Sequence, residues 1–178
     1  KLIEKCNQDV NMAYHIKNAL SPDLEFMRTS LLSSSLVKAQ ENIQRNINTF
    51  CIYEFNIAHQ KGDLDKFGVP REQWNMSLLF STKENIIDGN PYYQVKRYLE
   101  KVLNGINVED VKYKLLSNSS ERDLPLWILN LIPLFNDRGS ALIIYRDTVI
   151  GILGDFKKGI KDGFKLPVYS AGLEINLE

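Results

Sequence analysis

The sequence contains few of the residues that bind metals or form disulfides. Its 178 residues include two cysteines, Cys6 and Cys51, and two histidines, His15 and His59. Two cysteines give neither a disulfide framework nor the paired spacing of a zinc site, so we expect reduced thiols in a cytoplasmic protein. Two histidines exclude a metal centre built from several histidines.

The sequence also lacks an excess of either charge and lacks a long apolar segment. Its 22 basic residues balance 22 acidic ones, whereas a domain that held RNA largely through phosphates would usually be basic. No apolar run approaches the roughly 20 residues of a membrane span, and no signal peptide opens the chain. We therefore expect no membrane association. From its length we expect residues 1–178 to form a single domain, and we expect this domain to be a piece of a longer polypeptide.

Apolar residues recur at helical spacing in the first third of the chain. The steps of three and four from Leu32 to Ile47 predict a helix, and the serines at 33–35 offer capping hydroxyls near its start. From Cys51 to Ile57 the period changes to two, which predicts a strand. Cys51 and His59 could form a nucleophilic pair, but the position of Cys51 on the apolar face of the strand favours a buried, inert thiol.

Later segments predict one clear helix and several strands. Asn90-Pro91 begins a helix that ends at Gly105, and Arg146-Asp147 joins a hairpin. A shorter basic helix is predicted over Phe156–Phe164. Strands are predicted over Ala13–Asn18, Met76–Thr82, Val111–Leu115, Ala141–Tyr145, Thr148–Leu153 and Tyr169–Leu177. Strands outnumber helices and several are sequential neighbours, so we expect an α+β fold, an antiparallel β-sheet flanked by helices.

Several short motifs follow one another in an order that is typical of a known family. Residues 28–32 are Arg-Thr-Ser-Leu-Leu, and Asn42 and Arg45 lie near the end of the predicted helix. The remaining motifs are Tyr-Glu-Phe-Asn at 53–56, Asn-Asp-Arg-Gly-Ser-Ala at 136–141, Ile-Gly-Ile-Leu-Gly-Asp at 150–155 and Glu-Ile-Asn-Leu at 174–177. Together they resemble the catalytic-core-like, inactive domain of phenylalanyl-tRNA synthetase beta subunits.

The resemblance implies a class II aminoacyl-tRNA synthetase core-like fold with a structural role. In the family, an alpha-beta heterotetramer charges tRNA with phenylalanine and uses ATP and magnesium. The inactive core would pair with the active core of the alpha subunit, and tRNA would be reached through the whole complex. The resemblance implies no cofactor and no metal ligand in this domain. We expect the segment before the first long helix, and the helix itself, to contribute to the subunit interface, with Arg28, Ser30, Leu31 and Arg45 as candidate residues.

Amino acid activation needs fixed cations at two places where this sequence has none. Class II synthetases drive attack of a carboxylate on the α-phosphate of ATP, and the developing charge must be stabilised. The family uses one arginine at the end of the strand after the first core helix and another on the last strand and helix. Here the corresponding segments, 57–60 and 171–176, contain no arginine, and Glu174 would repel phosphate. We therefore expect that this domain does not activate an amino acid.

Other functional hypotheses remain for particular residues. The sequence favours a structural role for Arg28, in which it pairs with an acidic group at the helix entrance. Gly151 and Gly154 lie inside a predicted strand, which favours close packing over a phosphate loop. A lysine cluster over 157–165 favours a solvated helix face over an RNA contact. Trp127 fits core packing and a partner surface equally well.

Two further functions stay open for the whole chain. One is a stand-alone regulatory or binding protein derived from a synthetase core, which would bind a metabolite or another enzyme instead of an alpha subunit. The other is an independent enzyme, which would require ATP-dependent turnover by this chain alone. The missing arginines disfavour the second hypothesis.

Overall fold

The computed structural model describes residues 2–21, 25–85 and 90–178. They form a six-stranded antiparallel sheet with the order β1-β2-β6-β5-β4-β3. The strands are β1 Thr49–Ala58, β2 Gln73–Thr82, β3 Lys112–Leu115, β4 Phe135–Tyr145, β5 Thr148–Phe156 and β6 Tyr169–Asn176. The α-helices of the described residues are α1 Leu2–Lys5, α2 Leu31–Gln44, α3 Pro91–Gly105, α4 Leu126–Leu131 and α5 Lys158–Phe164. The predicted α+β class is confirmed.

Helices cover the two faces of the sheet with separate apolar cores. On one face, which we call the α2 face, Leu79 and Ile152 pack with residues of α2, α4 and α5. On the opposite face, the α3 face, Leu78 and Leu173 pack with residues of α3. Because side chains alternate along a strand, neighbouring residues of the central strands belong to different cores. Trp127 of α4 packs in the core of the α2 face.

Local sequence signals set two of the element boundaries as predicted. Asn90 Oδ1 accepts a hydrogen bond from the N–H of Tyr92 at 3.1 Å, and Pro91 begins α3. Arg146 and Asp147 have positive φ angles of 49° and 61°, as type I′ hairpin turns require. The side-chain cap and the hairpin between β4 and β5 are both confirmed.

Several predicted segments differ from the structure in extent: β2, β4 and β5 are longer than predicted, α5 begins two residues later, and two other segments are clearly shorter. Helix α2 ends at Gln44, because Asn46 has a left-handed φ of 60° that an α-helix cannot continue. Ile47, the last apolar position of the predicted helix, therefore lies outside α2. In place of the strand predicted over residues 13–18, the structure has an isolated bridge between His15 and Phe26. This single bridge is not part of the six-stranded sheet. Residues 22–24 lie outside the described part of the chain.

The prediction that Cys51 is buried is wrong. Cys51 is exposed, and Tyr53 and Phe55 on the same side of β1 are 77% and 56% exposed. The alternate residues Phe50 and Ile52 pack against the core of the α2 face. The reason is the position of β1 at the edge of the sheet: α3 packs over β2, β5 and β6 and leaves the α3 face of β1 open.

Two glycines of β5 allow close approach of neighbouring strands, as the sequence predicts. A Cβ atom on Gly154 would lie 1.9 Å from Ser140 Oγ and 2.6 Å from Ser140 Cα. A Cβ atom on Gly151 would lie 2.6 Å from the carbonyl oxygen of Glu174. These contacts are far too short for any side chain, so both glycines serve strand packing and no phosphate loop is formed.

The two thiols should differ sharply in their reaction with a thiol reagent. Cys6 is fully buried, and burial raises its pKa to about 11, so we expect no labelling in the folded chain. Cys51 should react in the folded chain, although partial burial of its thiol raises its pKa as well. Labelling with a disulfide reagent, followed by mass spectrometry before and after unfolding, distinguishes the two. Labelling of Cys6 first would contradict this assignment, and Cys51→Ser provides the control.

Candidate functional site at the entrance of helix α2

The segment that leads into α2 is bound to the end of the edge strand β1. The carbonyl oxygen of Arg28 accepts a hydrogen bond from the N–H of His59 at 3.0 Å. The Arg28 side chain donates from Nε to the carbonyl oxygen of Ile57 at 3.0 Å, and its guanidinium pairs with Glu54. The predicted pairing of Arg28 with an acidic group at the helix entrance is therefore confirmed.

The first turn of α2 is capped by Glu174, a residue from the centre of β6. Glu174 Oε2 accepts hydrogen bonds from the Ser30 hydroxyl at 2.8 Å and from the N–H groups of Leu31 and Leu32, both at 3.0 Å. Glu174 Oε1 accepts from Asn75 Nδ2 at 2.9 Å. The unsatisfied N–H groups of a helix start are usually capped by a neighbouring side chain, and here the cap is 142 residues away along the chain.

The electrostatics of this cap combine two opposing effects. Glu174 is fully buried, and loss of solvent raises the pKa of its carboxyl above the ordinary value of 4.5. The four donor groups oppose that rise because they stabilise the charged form. The positive end of the α2 dipole acts in the same direction as the donors. The loss of solvent is the larger effect.

A second polar cluster fixes the helix entrance from the other side. Gln60 Nε2 donates to the carbonyl oxygen of Thr29 at 2.6 Å, and Asn130 Nδ2 donates to the Thr29 hydroxyl at 2.8 Å. Gln8 Nε2 donates to the carbonyl oxygen of Asn130 at 3.0 Å. All four residues are buried. The entrance of α2 is thus held by β6, by the end of β1 and by α4.

The four predicted interface residues occupy two different environments. Arg28 is partly exposed at the edge of the sheet, and Arg45 is exposed at the C-terminal end of α2. Ser30 and Leu31 are buried inside this chain, with 1% and 0% exposure. The interface role stays a prediction for all four, and a partner chain would reach Arg28 and Arg45 directly.

The predicted capping by the serines at 33–35 is wrong. The helix begins at Leu31 with Ser30 as its N-terminal flanking residue, so the three serines lie inside the helix. Ser33 donates to Gln8 Oε1 at 2.8 Å. The hydroxyl of Ser35 lies 3.2 Å from that of Ser77. Sequence spacing missed the true cap, because a contact between β6 and α2 leaves no local signal.

Glu174 also corrects one interpretation of the last strand. The sequence predicts a carboxylate that would repel phosphate, whereas the structure directs Glu174 into the α2 face and binds it to the helix. From Ser170 to Ile175, every residue of β6 is buried. Neither face of this strand is therefore accessible from solvent.

The remaining candidate residues are not brought together. Cys51 and His59 lie eight positions apart on or beside one strand, about 25 Å at the usual rise per residue, so they form no nucleophilic pair. In residues 2–21, 25–85 and 90–178, no group of three or more His, Cys, Asp or Glu residues could hold a metal ion. None of the helices in this part of the chain is long and apolar enough to cross a membrane.

The lysine cluster lies beside a shallow cleft at the start of β4. Lys157 pairs with Asp137 at 3.7 Å, and Lys161 pairs with Asp155. The cleft has a volume of about 510 Å³ and is lined by both acidic and basic residues, including Glu121, Arg138 and Lys157. Because its charges are mixed, it does not form the basic surface that a nucleic acid requires.

The sheet order, the antiparallel pairing and the helix positions define a class II aminoacyl-tRNA synthetase core-like fold. The pyrrolysyl tRNA synthetase PylSc of Desulfitobacterium hafniense has a similar structure, with a TM-score of 0.62 and 11% sequence identity. The similarity covers 94% of this chain and 51% of that one. At this identity the likeness shows the fold alone, and the predicted fold is confirmed.

The family itself is shown by sequence. This chain belongs to the family of the phenylalanyl tRNA synthetase beta chain CLM domain, whose family model matches residues 1–177. The phenylalanine–tRNA ligase beta subunit of Fusobacterium nucleatum is 26% identical over 155 residues, which are 84% of this chain and 18% of the relative. The beta subunit of Clostridium tetani is 25% identical over 177 residues, 99% of this chain and 20% of the relative. The chain thus spans about a fifth of these relatives.

The buried cap predicts a specific dependence of stability on pH. Glu174→Gln should lower the free energy of unfolding by about 1–3 kcal/mol near pH 4, because the amide N–H₂ group brings two donor hydrogens to a site of four donors, whereas the protonated carboxyl brings one. The folded chain binds a proton at Glu174 at higher pH than the unfolded chain, since its folded pKa is raised. Wild-type stability should therefore decline as pH rises through that folded pKa, whereas the variant lacks this decline.

The cost of Glu174→Gln should thus be largest below the ordinary pKa of 4.5 and should shrink at higher pH. Urea unfolding between about pH 4 and 8 measures it. The exposed residue Glu121 offers a control, as Glu121→Gln should change stability by less than about 0.5 kcal/mol at every pH. A cost that increases with pH would mean that the donors outweigh burial.

Proposed function

We propose that this chain is a non-catalytic core-like domain of a phenylalanine–tRNA ligase beta subunit, which acts in the cytoplasm. Its role is to support the alpha subunit in the ATP-dependent charging of tRNA with phenylalanine. ATP and magnesium are used by the whole enzyme, and this domain contributes no ligand to either. Contact with tRNA is made by the whole complex.

The observation that carries this proposal is the complete burial of the central strand β6. Glu174 points into the α2 face and bonds to the helix start, while Leu173 and Ile175 lie under α3. A nucleotide bound on a sheet needs one open face of the strands beneath it, and β6 offers none from Ser170 to Ile175. Together with the absence of arginine from β1 and β6, this supports a domain without amino acid activation.

The family membership supports the second half of the proposal. The relatives from Fusobacterium nucleatum and Clostridium tetani are named as beta subunits of phenylalanine–tRNA ligase. A subunit of that name works beside a different chain, which for this enzyme is the alpha subunit. We infer that this domain keeps a synthetase core because the core provides a rigid surface for that partner.

Two measurements test the proposal. This chain, co-expressed with the alpha subunit of the same organism, should co-purify with it, and light scattering should give the mass of a defined complex. Alone, the chain should show no phenylalanine-dependent exchange between ATP and pyrophosphate. Exchange above background by the purified chain would refute the inactive assignment. Failure of a well-folded chain to bind the alpha subunit would leave two explanations: the interface requires other parts of the beta subunit, or the chain is a repurposed, synthetase-like regulatory or binding protein.

A further inference from the structure

The outer edge of β1 carries backbone groups that pair with no strand among the described residues. β1 is the end strand of the sheet, and its inner edge pairs with β2 along its whole length. The backbone of Ile57 shows which positions point outward, because its N–H and C=O bond to Asn56 Oδ1 and Arg28 Nε and not to β2. Since this orientation alternates along a strand, the outward groups belong to Cys51, Tyr53 and Phe55.

One end of this edge is closed and the other is open. Around Ile57, the side chains of Arg28 and Asn56 occupy the outward backbone groups, and the N–H of His59 bonds to the Arg28 backbone. Natural sheets protect their edges in this way. The protection ends at Asn56, which leaves the outward groups from Cys51 to Phe55 available.

The open part of the edge is flanked by exposed apolar side chains on the α3 face. We call Cys51, Tyr53, Phe55 and Trp74 the aromatic edge. Tyr53 is 77% exposed, Phe55 56% and Trp74 41%. The rings of Phe55 and Trp74 stack with centroids 5.3 Å apart, so the surface is ordered by its own contacts. Exposed clusters of this kind on a soluble domain usually mark an interaction site.

The aromatic edge carries no charge. The acidic residue of β1, Glu54, points to the α2 face and is paired with Arg28. Lysine and proline, which commonly protect edge strands from pairing, are absent from Thr49–Ala58. A complementary partner must therefore be uncharged where it meets this surface, because an unpaired charge buried there would be costly.

We propose that the aromatic edge of β1 receives an extended, uncharged segment of the alpha subunit, which adds a seventh strand to the sheet. This inference rests on the proposed function, which supplies a different chain as the partner. The surface is continuous with the partly exposed Arg28, one of the four residues predicted to lie at the subunit interface. Strand addition of this kind combines backbone pairing with side-chain selection at alternate positions.

The geometry defines the segment that fits. The outward N–H and C=O groups of Cys51, Tyr53 and Phe55 would pair with about three to five residues of the incoming strand. Alternate side chains of that strand would lie beside Tyr53 and Phe55 at cross-strand distances of about 5 Å. Apolar or aromatic residues at those alternate positions would cover the exposed rings, and the positions between them would lie beside Ile52 and the Arg28–Glu54 pair.

Substitution of Tyr53 tests the side-chain part of the inference. Tyr53→Lys in this chain, co-expressed with the alpha subunit, should weaken the complex by roughly tenfold or more, because it places a charge in the covered surface. Tyr93→Lys is the matched control, since Tyr93 is a 58% exposed tyrosine on α3. It should leave the affinity within roughly twofold. Biolayer interferometry with immobilised alpha subunit gives both dissociation constants.

A second variant tests the backbone part. Tyr53→Pro removes an outward N–H and no bond to β2, so edge strands tolerate it, and it should also weaken the complex by roughly tenfold. Urea unfolding of each variant confirms that it is folded. Hydrogen exchange should show protection of the amides of residues 51, 53 and 55 in the complex and not in the free chain.

The outcomes separate this inference from the proposed function. Wild-type binding with loss in both Tyr53 variants supports it. Equal binding by wild type and variants overturns the inference and leaves the proposed function intact. If light scattering shows that the wild-type chain forms dimers and that Tyr53→Lys dissociates them, the aromatic edge binds a second copy of this chain and the inference is overturned. If the folded wild-type chain does not bind the alpha subunit at all, the proposed function fails and this inference with it.

Discussion

The buried carboxyl group of Glu174 fixes α2 to the sheet, and much of the structure depends on this contact. It joins the N-terminus of the longest helix on the α2 face to the central strand β6 and, through Asn75, to β2. A buried carboxyl is costly unless its oxygens are bonded, and here each oxygen has a donor. Once α2 is held at its first turn, its apolar residues Leu32 and Leu36 face the core of the α2 face.

Covering both faces of the central strands has a consequence for the edges. α2 and α3 enclose β6 from opposite sides, so that strand is buried from Ser170 to Ile175. α3 packs over β2, β5 and β6 and does not extend over β1. The aromatic residues of β1 therefore remain exposed, although they continue the apolar surface that α3 covers on the neighbouring strands. The same packing thus buries the middle of the sheet and leaves one side of β1 exposed.

Sequence patterns predicted those parts of the fold that depend on local chemistry. The Asn90-Pro91 start of α3, the Arg146-Asp147 turn and the alternation of β6 are all set within a few residues, and each was recovered. The Glu174 cap could not be predicted, because the helix residues that it caps are more than 140 positions away. Which face of β1 is buried could not be predicted either. Sequence alternation places Cys51 and Ile52 on opposite faces of the strand, but the extent of α3 decides which of the two is covered. The aromatic edge was missed for the same reason.

The motifs that carry the family resemblance prove to be contacts with one another. Arg28 pairs with Glu54, Ser30 with Glu174, and Gly154 makes room for Ser140. Each pair joins two motifs, so these recognisable residues hold elements of the fold together: two pairs fix the entrance of α2 to the sheet, and the third packs β4 against β5. In an active synthetase, some recognisable residues must instead touch ATP or the amino acid, because catalysis requires fixed charges near the reacting phosphate. A family signature made of scaffold contacts is what a core retained for assembly would preserve, and this agrees with a domain whose contribution is its shape.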